Sequence, residues 1–394
     1  MWIFSKTLDE LCDEDLQGLV THGVGEGVSL EFKREAYGSR EAEVKEMLRD
    51  VCSMANAVGG TLVIGIEEDG EGRALRVVPT SNAEAEANRI IASSVANISE
   101  RIPGLRSRAI PIQGGHVIVI HIPRSYRKPH MITFQGATDF WVRHDRQKSR
   151  MSIAEIRAAI TATEDFEMKA EKLIEQRRQI LPQPPWRAVF ALTGTPLLLE
   201  PGRVDISERR LANLLKAPPT FRPQGGVALA YEDRVEPTVR GLKTASGSSQ
   251  RLEVFRNGHV EFTVSERERI AEYKKELSAW VIRHWAIAEY VRNFVHFLVA
   301  FRTLTEITDP YLVGLAMWKC EGSLMKEGIR DPFGIGTANR WEEGDCMVLE
   351  PVVAALDEQA DGIVRRLVDG FWNAFHFMRC PFFDNEGKFY IPRG

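Results

Sequence analysis

Hydrophobic and polar positions follow two periods in the N-terminal part of the chain. "VSLEFK" alternates strictly, which predicts a strand over residues 28–33. In the next segment, residues 40–58, apolar side chains recur at helical spacing, and Gly59 and Gly60 predict the end of that helix. The wholly apolar run "TLVIGI" predicts a strand that is buried on both faces.

The pattern continues as a mixed unit. A helix is predicted over about 82–100, then three strands in "RSRAIPI", "HVIVIHIP" and "TDFWVRH", and a charged helix that starts at "SIAEIRAAI". The prolines of "PQPPW" follow that helix and favour a boundary. We therefore predict a first domain over 1–160, a helical linker over 161–185 and a second domain over 186–394.

The second half predicts both strands and helices. "RAVFALT" reads as a strand, and "RLEVFRNGHVEFTV" as a hairpin with a two-residue type I′ turn at Asn257–Gly258. A long amphipathic helix is predicted over roughly 266–303, and "YLVGLAMWKC" as a buried strand. The expected fold class is α+β in both domains. Substrate selection, dimerisation and effector sensing all fit the second domain.

Composition narrows the class of protein. The 394 residues, 44% hydrophobic and 27% charged, are typical of a globular protein of two domains. A net charge of −4 excludes a wholly basic nucleic-acid binder, so such binding would need a local patch. Five cysteines without CxxC spacing, no signal sequence and no uncharged apolar span predict a cytoplasmic protein without a membrane partner.

Charged residues near the first strand are the candidate chemistry. Glu31 and Lys33 share one strand face, because residues two apart in a strand point the same way. Glu26 is at an odd offset, but the glycines around it could turn the chain back. Glu68 lies just past the buried strand. If that strand pairs near "VSLEFK", three carboxylates and one ammonium converge.

Such a cluster indicates a divalent cation. Three close carboxylates raise one another's pKa unless a cation is present, and Mg²⁺ and Mn²⁺ prefer carboxylate oxygens. With a lysine beside it, the ion could promote phosphodiester hydrolysis. The alternative is an exposed strand face and a solvated acidic turn, with no catalytic role.

A basic strip between residues 124 and 150 is the candidate nucleic-acid surface. Aromatic side chains interleave with its cations, a combination that can bind phosphates and bases. The alternative is a solvated hairpin rim with its aromatics in the core. The predicted binding residues are Arg124, Arg127, Lys128, Arg143, Arg146, Lys148 and Arg150.

Three segments together resemble the Schlafen-type Alba-like domain. "EGVSLEFK", a helix ending in "MANAVGG", and "TLVIGIEEDG" are similar to its three-part motif, and "RKPHMITFQGATDFWVRHDRQKSRMSIAEI" to its end, over about 8–160. The resemblance implies a metal-dependent endoribonuclease acting on tRNA and rRNA. It implies Glu26, Glu31 and Glu68 as the acidic triad, which would hold Mg²⁺ or Mn²⁺. It also implies that Lys33 is the lysine of the family's E-F-K motif, beside that triad.

Two departures from the family pattern matter. Its aspartate pair is Glu67–Glu68 here, one methylene longer, and the zinc-binding cysteines and histidine of Schlafens have no match. Schlafens join two such lobes, whereas one is recognisable here, so a homodimer or higher oligomer is expected.

The expected function is therefore cleavage of structured RNA, above all tRNA, with DNA as another possible partner and a role in stress or anti-phage defence. The alternatives are a non-catalytic DNA- or RNA-binding regulator and an oligomeric scaffold.

Overall fold

The protein is described by a computed structural model that covers residues 3–4, 6–231, 234–244, 249–326, 338–354 and 358–391. The chain divides into two compact units, Met1–Phe166 and Glu167–Gly394. Both units contain helices and strands, so the α+β class is confirmed. Among the described helices, none has the length and apolar character that a membrane crossing requires.

The first unit begins with a one-turn 3₁₀ helix, Leu8–Glu10, which Thr7 and Glu10 cap through their side chains. A helix shared with the second unit ends it. In chain order the elements are α1 (Asp13–Thr21), β1 (Leu30–Lys33), α2 (Glu41–Asn56), β2 (Gly60–Ile64), β3 (Ile66–Glu68), β4 (Ala74–Val77), α3 (Ala83–Asn97), β5 (Ile98–Ser99), β6 (Arg106–Ile112), β7 (Gly115–Ile122), β8 (Met131–Ile132), β9 (Trp141–His144), β10 (Gln147–Arg150) and α4 (Ile153–Ile180).

A four-stranded sheet in the order β1-β2-β7-β6 is the centre of the first unit. β1 and β2 are parallel, and α2 makes the crossover that parallel neighbours require; the other pairs are antiparallel. α2 and α3 cover one face, while α1 covers the other together with Leu30 and Phe32 of β1. Since side chains alternate along a strand, Glu31 and Lys33 face the α2 side. Three two-stranded pairs, β3–β4, β5–β8 and β9–β10, surround the sheet.

The first strand and helix are shorter than predicted. Val28 and Ser29 form a turn, because Gly27 and Leu30 bond each other through both backbone N–H groups, at 3.1 and 3.4 Å. Helix α2 ends before the glycines, and Val58, predicted on its apolar stripe, lies beyond that end and is exposed.

The second unit contains the rest of α4 and fifteen further labelled elements. An eight-stranded sheet has the order β12-β13-β14-β15-β11-β18-β21, with β22 also on β18, and a second sheet has the order β16-β17-β19-β20. The elements are β11 (Phe190–Pro196), α5 (Arg209–Lys216), β12 (Val235–Pro237), β13 (Gly241–Thr244), β14 (Gln250–Phe255), β15 (Val260–Val264), β16 (Ala271–Lys274), β17 (Ala279–Ile282), α6 (His284–Thr305), β18 (Tyr311–Trp318), β19 (Leu324–Lys326), β20 (Ala338–Arg340), β21 (Cys346–Val348), β22 (Val352–Ala354) and α7 (Ala360–Ala374).

The long helix predicted over 266–303 is partly wrong, since α6 begins only at His284. Residues 267–282 instead form two 3₁₀ turns and the antiparallel strands β16 and β17. Ser278, with φ 48°, reverses the chain before β17, whose Trp280, Val281 and Ile282 favour extended backbone. Pairing between strands therefore overrides the helical spacing of that segment.

The hairpin of β14 and β15 is confirmed, but its predicted turn is wrong. The Phe255 N–H donates to His259 O at 2.7 Å, so three residues, 256–258, form the loop. Only Gly258 among them has a positive φ, 90°, whereas a type I′ turn would need two such residues.

Candidate active site

The turn at Gly27–Leu30 brings Glu26 back beside β1. The Glu26 N–H donates to Gly72 O at 2.8 Å, which ties this segment to the turn before β4. The Glu26 carboxylate accepts the Phe32 N–H at 2.7 Å. Glu26 therefore lies against the middle of β1, close to Glu31, despite the odd offset between them in the sequence.

The glycines of this segment contribute unequally to that approach. Gly23, with φ 55°, has the left-handed conformation that favours glycine, just after the end of α1. Gly25 and Gly27 are absent from the residues with positive φ. Backbone hydrogen bonds, rather than glycine freedom at those two positions, place Glu26.

A β-bulge lies between Glu67 and Glu68, and their side chains have different partners. The register between β3 and β4 shifts between these two residues. Glu67 pairs with Arg34 at 2.9 Å and also with Arg76. Glu68 instead comes within hydrogen-bond range of the Glu26 carboxyl group. The two form what we call the Glu26–Glu68 pair.

Glu31 has both carboxylate oxygens in ion pairs. Its Oε2 lies 2.5 Å from Nη2 of Arg143, and its Oε1 accepts from Lys33 Nζ. The Lys33 ammonium also lies 3.7 Å from Oδ2 of Asp50, which is fully buried. Lys33 itself keeps 28% of its side chain exposed, so it remains within reach of a ligand.

These contacts continue into a chain of alternating charges, which we call the alternating network. Asp50 also accepts from Lys148 and, at 2.7 Å, from the hydroxyl of Tyr37. Three carboxylates and three cations balance each other, which is the condition under which buried charges are tolerated. In order the members are Glu46, Lys148, Asp50, Lys33, Glu31 and Arg143.

The Glu26–Glu68 pair lies outside this balance. Burial raises the pKa of Glu26 to about 7, with repulsion from Glu31 and the contact with Glu68 acting in the same direction, against the Phe32 N–H. Its ion pair with Arg146 is a long one, with Nη2 3.8 Å from Oε2 of Glu26. By contrast, Asp50 and Glu31 raise the pKa of Lys33, although burial alone would lower it.

The Glu26–Glu68 pair fits a divalent cation. Both donors are hard oxygens, and Mg²⁺ is often held by one or two protein carboxylates together with substrate phosphates. Across the described ranges, no three or more Asp, Glu, His or Cys side chains are arranged so that they could hold a metal ion. The expected participation of Glu31 as a third ligand would require it to release Arg143 or Lys33, and it stays a prediction.

Three of the seven predicted phosphate-binding residues are held within the fold. Arg143 is buried, and its Nε donates to Gly27 O at 2.9 Å and to Asp145 O at 3.0 Å. Lys148 belongs to the alternating network. Lys128 donates to the Ala57 carbonyl at the end of α2, and burial together with Arg124 lowers its pKa to about 8.

The other four present exposed guanidinium groups. Arg146 donates from Nη1 to Glu71 O at 2.7 Å, close to the Glu26–Glu68 pair. Arg150 lies 3.3 Å from Asp139, and Arg127 lies over the ring of Tyr126. Arg124, Arg127, Arg146 and Arg150 are therefore the accessible part of the basic strip, and they remain candidates for nucleic-acid contact.

Asp50 is the residue of the site that sequence reasoning missed. It lies three residues after Met47 and four before Met54, so it occupies a position on the apolar stripe of α2. An aspartate at such a position must find buried partners, which is a signal readable from the sequence.

Asn56 holds the same helix to β9. Its amide donates to His130 O at 2.9 Å and to Trp141 O at 2.8 Å, and its oxygen accepts the His130 N–H at 2.7 Å. Arg49, about two turns earlier on α2, lies 4.7 Å from the centroid of the Trp141 ring. These contacts position β9, which carries Arg143 to Glu31.

Similar solved structures are found for part of the chain. The DIP2311 protein from Corynebacterium diphtheriae is 18% identical over 36% of this chain, with a TM-score of 0.27, and the match spans only 27% of that protein. The N-terminal domain of a putative ATP-dependent DNA helicase RecG-related protein from Nitrosomonas europaea is 18% identical, with 35% of this chain and 90% of that chain covered and a TM-score of 0.26.

Among curated proteins, none matches the chain. The family model described as Schlafen, AlbA_2 matches residues 26–152, a range that begins at Glu26 and includes the alternating network, Glu68 and the whole basic strip. The match supports a Schlafen-type domain over residues 26–152 and assigns no family to the rest of the chain.

Proposed function

We propose that the first unit is a metal-dependent endoribonuclease that cuts structured RNA, above all tRNA. The observation that carries this proposal is the Glu26–Glu68 pair, two adjacent carboxylates with one long ion pair to Arg146, beside a neutral network that contains Lys33. A carboxyl group with a strongly raised pKa, such as Glu26, next to a partly exposed cation is typical of catalytic sites. The match to the Schlafen, AlbA_2 family model supports the same reading.

Glu26 and Glu68 would hold Mg²⁺ or Mn²⁺, with Glu31 as the predicted third ligand. When bound, the ion supplies an activated water and offsets negative charge on the phosphate. Because burial and the neighbouring carboxylates raise the pKa of Glu26 to about 7, its carboxyl group is partly protonated near neutral pH. A cation that takes the place of this proton displaces it, so metal binding by this pair releases a proton.

Lys33 is the group that would contact the scissile phosphate. Asp50 and Glu31 keep its ammonium protonated and hold it on the exposed side of the alternating network. Arg143 holds the other oxygen of Glu31 and so fixes that carboxylate against β1. The exposed arginines of the basic strip would bind the RNA backbone nearby.

A specific observation favours a second function, a non-catalytic DNA- or RNA-binding regulator. Both oxygens of Glu31 and the ammonium of Lys33 are already paired, so the alternating network is complete without a metal ion. A domain of this kind would bind nucleic acid through its exposed arginines and leave it intact.

One assay separates the two functions. We would incubate the full chain with tRNA, or with DNA of similar structure, in Mg²⁺ or Mn²⁺, with EDTA as the metal-free control. Glu26→Gln and Glu68→Gln are expected to reduce cleavage by at least about 100-fold while binding persists. Glu67→Gln is the matched control, because Glu67 pairs with arginines away from Glu26.

The outcomes are distinct. Binding without metal-dependent cleavage by the unmodified protein would support the regulator and rule out the nuclease. Cleavage that survives both Glu26→Gln and Glu68→Gln would show that another site performs the reaction.

A further inference from the structure

A cavity in the second unit lies between α7 and the segment that follows it. Its volume is about 470 Å³, within the range of roughly 300–1,000 Å³ that small-molecule sites occupy. Arg365 and Trp372 of α7 line one side, and residues 379–385 line the rest. We call it the α7 cavity; it is separate in the sequence from the site of the first unit.

Positive charge predominates among its lining side chains. Arg379 is exposed, and in the described part of the chain it has neither an ion pair nor a hydrogen bond from its side chain. Arg365 lies over the ring of Phe383, with its Nε a long 3.7 Å from Oδ2 of Asp369. At least one guanidinium group is therefore available to a ligand.

The carboxylate that lines the cavity is engaged with the backbone. Oδ1 of Asp384 accepts the N–H groups of Glu386 and Lys388 at 3.0 and 2.8 Å, which closes the turn after the cavity wall. Asp369, next to the cavity, likewise accepts the Cys380 N–H at 2.7 Å. These carboxylates stabilise the loop that forms the wall, and the charge left for a ligand is cationic.

We propose that the α7 cavity binds a phosphate monoester group. Arg365 and Arg379 present the planar, doubly donating guanidinium groups that suit phosphate oxygens. The ring of Phe383 gives the cavity an apolar wall that a nucleoside could contact. Inorganic phosphate and a nucleoside monophosphate share the required chemistry. The proposal does not depend on nuclease activity in the first unit.

Calorimetric titration of the full chain with inorganic phosphate, AMP and adenosine tests this. Phosphate or AMP is expected to bind, and adenosine is not. Tighter binding of AMP identifies a nucleotide as the ligand, and equal binding identifies the free anion. Arg379→Gln is expected to weaken binding by about tenfold or more, since a charge-assisted bidentate contact is lost. Because the Arg379 side chain is exposed and has no ion pair or hydrogen bond to the described residues, this variant is expected to fold normally.

Two further variants serve as controls for Arg379→Gln. Arg209→Gln removes an exposed arginine outside the cavity and is expected to leave the affinity unchanged. Arg379→Lys keeps the positive charge but loses the two-pronged guanidinium group, and its affinity is expected to lie between those of Arg379→Gln and Arg209→Gln. The proposal is overturned if neither phosphate nor AMP binds up to about 10 mM, if adenosine binds as well as AMP, or if Arg379→Gln binds like the unmodified protein.

Discussion

Two buried glutamates, one in each unit, respond to burial in opposite ways. Burial by itself raises the pKa of both. Glu261 is nevertheless held at a pKa of about 2, because its charged form is favoured by His259, whose Nε2 lies 3.7 Å from Oε2, and by Arg177, which donates to it through two nitrogens at 2.8 and 2.9 Å. For Glu26, burial raises the pKa to about 7, and two neighbouring carboxylates act in the same direction, while the ion pair with Arg146 is long, at 3.8 Å.

The difference separates a structural charge from a functional candidate. Around Glu261 the second unit also gathers Arg251 and, through Glu253, Arg240, so that its carboxylates have cationic partners. The first unit balances its alternating network in the same way but leaves the Glu26–Glu68 pair unbalanced. A pair of carboxylates with a single long ion pair is expected to bind a ligand that carries positive charge.

The largest expected effect is on stability, when the carboxylate of the paired Glu261 is removed. Glu261→Gln leaves Arg177 buried and unpaired, and we expect it to lower the free energy of unfolding by about 3–5 kcal/mol. Urea unfolding, with hydrogen exchange in β15 to assign the transition to the second unit, measures this. Glu175→Gln, an exposed control on the same helix as Arg177, is expected to change it by less than about 0.5 kcal/mol. Equal effects of the two variants would contradict the comparison.

Breaking the alternating network is expected to cost somewhat less. Asp50→Asn removes the shared partner of Lys33 and Lys148, which keep Glu31 and Glu46 as other partners. We expect a loss of about 3 kcal/mol in the free energy of unfolding, at the lower end for a broken buried pair. Urea unfolding of the first unit measures the loss. A change of less than about 1 kcal/mol would mean that the network does not stabilise the unit.

The pH dependence of stability sharpens the contrast. Because the pKa of Glu26 is about 7 in the folded chain and its ordinary value is 4.5, the folded state binds more protons between these values, so stability falls as pH rises from 4.5 to 7. The fall is expected to be at most about 3 kcal/mol. Glu261 contributes a constant amount in this window, because its stabilisation is lost only as pH falls from 4.5 towards 2.

Unfolding experiments between pH 4.5 and 8 check this, with Glu26→Gln as the variant that should remove the dependence. Mg²⁺ is expected to restore stability at pH 7 in the unmodified chain and to have no such effect on Glu26→Gln. A flat profile for the unmodified chain would mean that Glu26 is compensated in solution.

The smallest expected effect on stability is from replacing an exposed arginine. Arg127→Gln should change the free energy of unfolding by less than about 0.5 kcal/mol, because the side chain is exposed. If Arg127 contacts RNA phosphate, the salt dependence of RNA binding should fall by about 0.7–0.9 in log–log slope. Filter binding at several salt concentrations measures the slope, with Arg256→Gln in the second unit as the control. An unchanged slope would remove Arg127 from the predicted RNA surface.

The hydrophobic pattern of the sequence predicted secondary structure correctly where the pairing and packing of the folded chain favour the same element. The run "TLVIGI" and the strand β18 are buried as predicted, because short continuous apolar runs are typical of strands that are covered on both faces. The segment 266–283 was predicted wrongly, since the pairing of β16 with β17 and of β17 with the distant β19 overrides helical spacing there. The turn at 256–258 was likewise decided by the pairing of Phe255 with His259.

The sequence by itself determined that Glu31 and Lys33 share a face, because strand geometry is local, and that the first unit carries the three-part Schlafen motif. Only the tertiary structure decided which charges meet. A backbone turn returns Glu26 to β1, a bulge separates Glu68 from Glu67, and α2 and β9 bring Asp50 and Arg143 from distant positions. Whether a buried carboxylate is neutralised or left as a site depends on such long-range partners, since electrostatic energy depends on distance in space rather than along the chain.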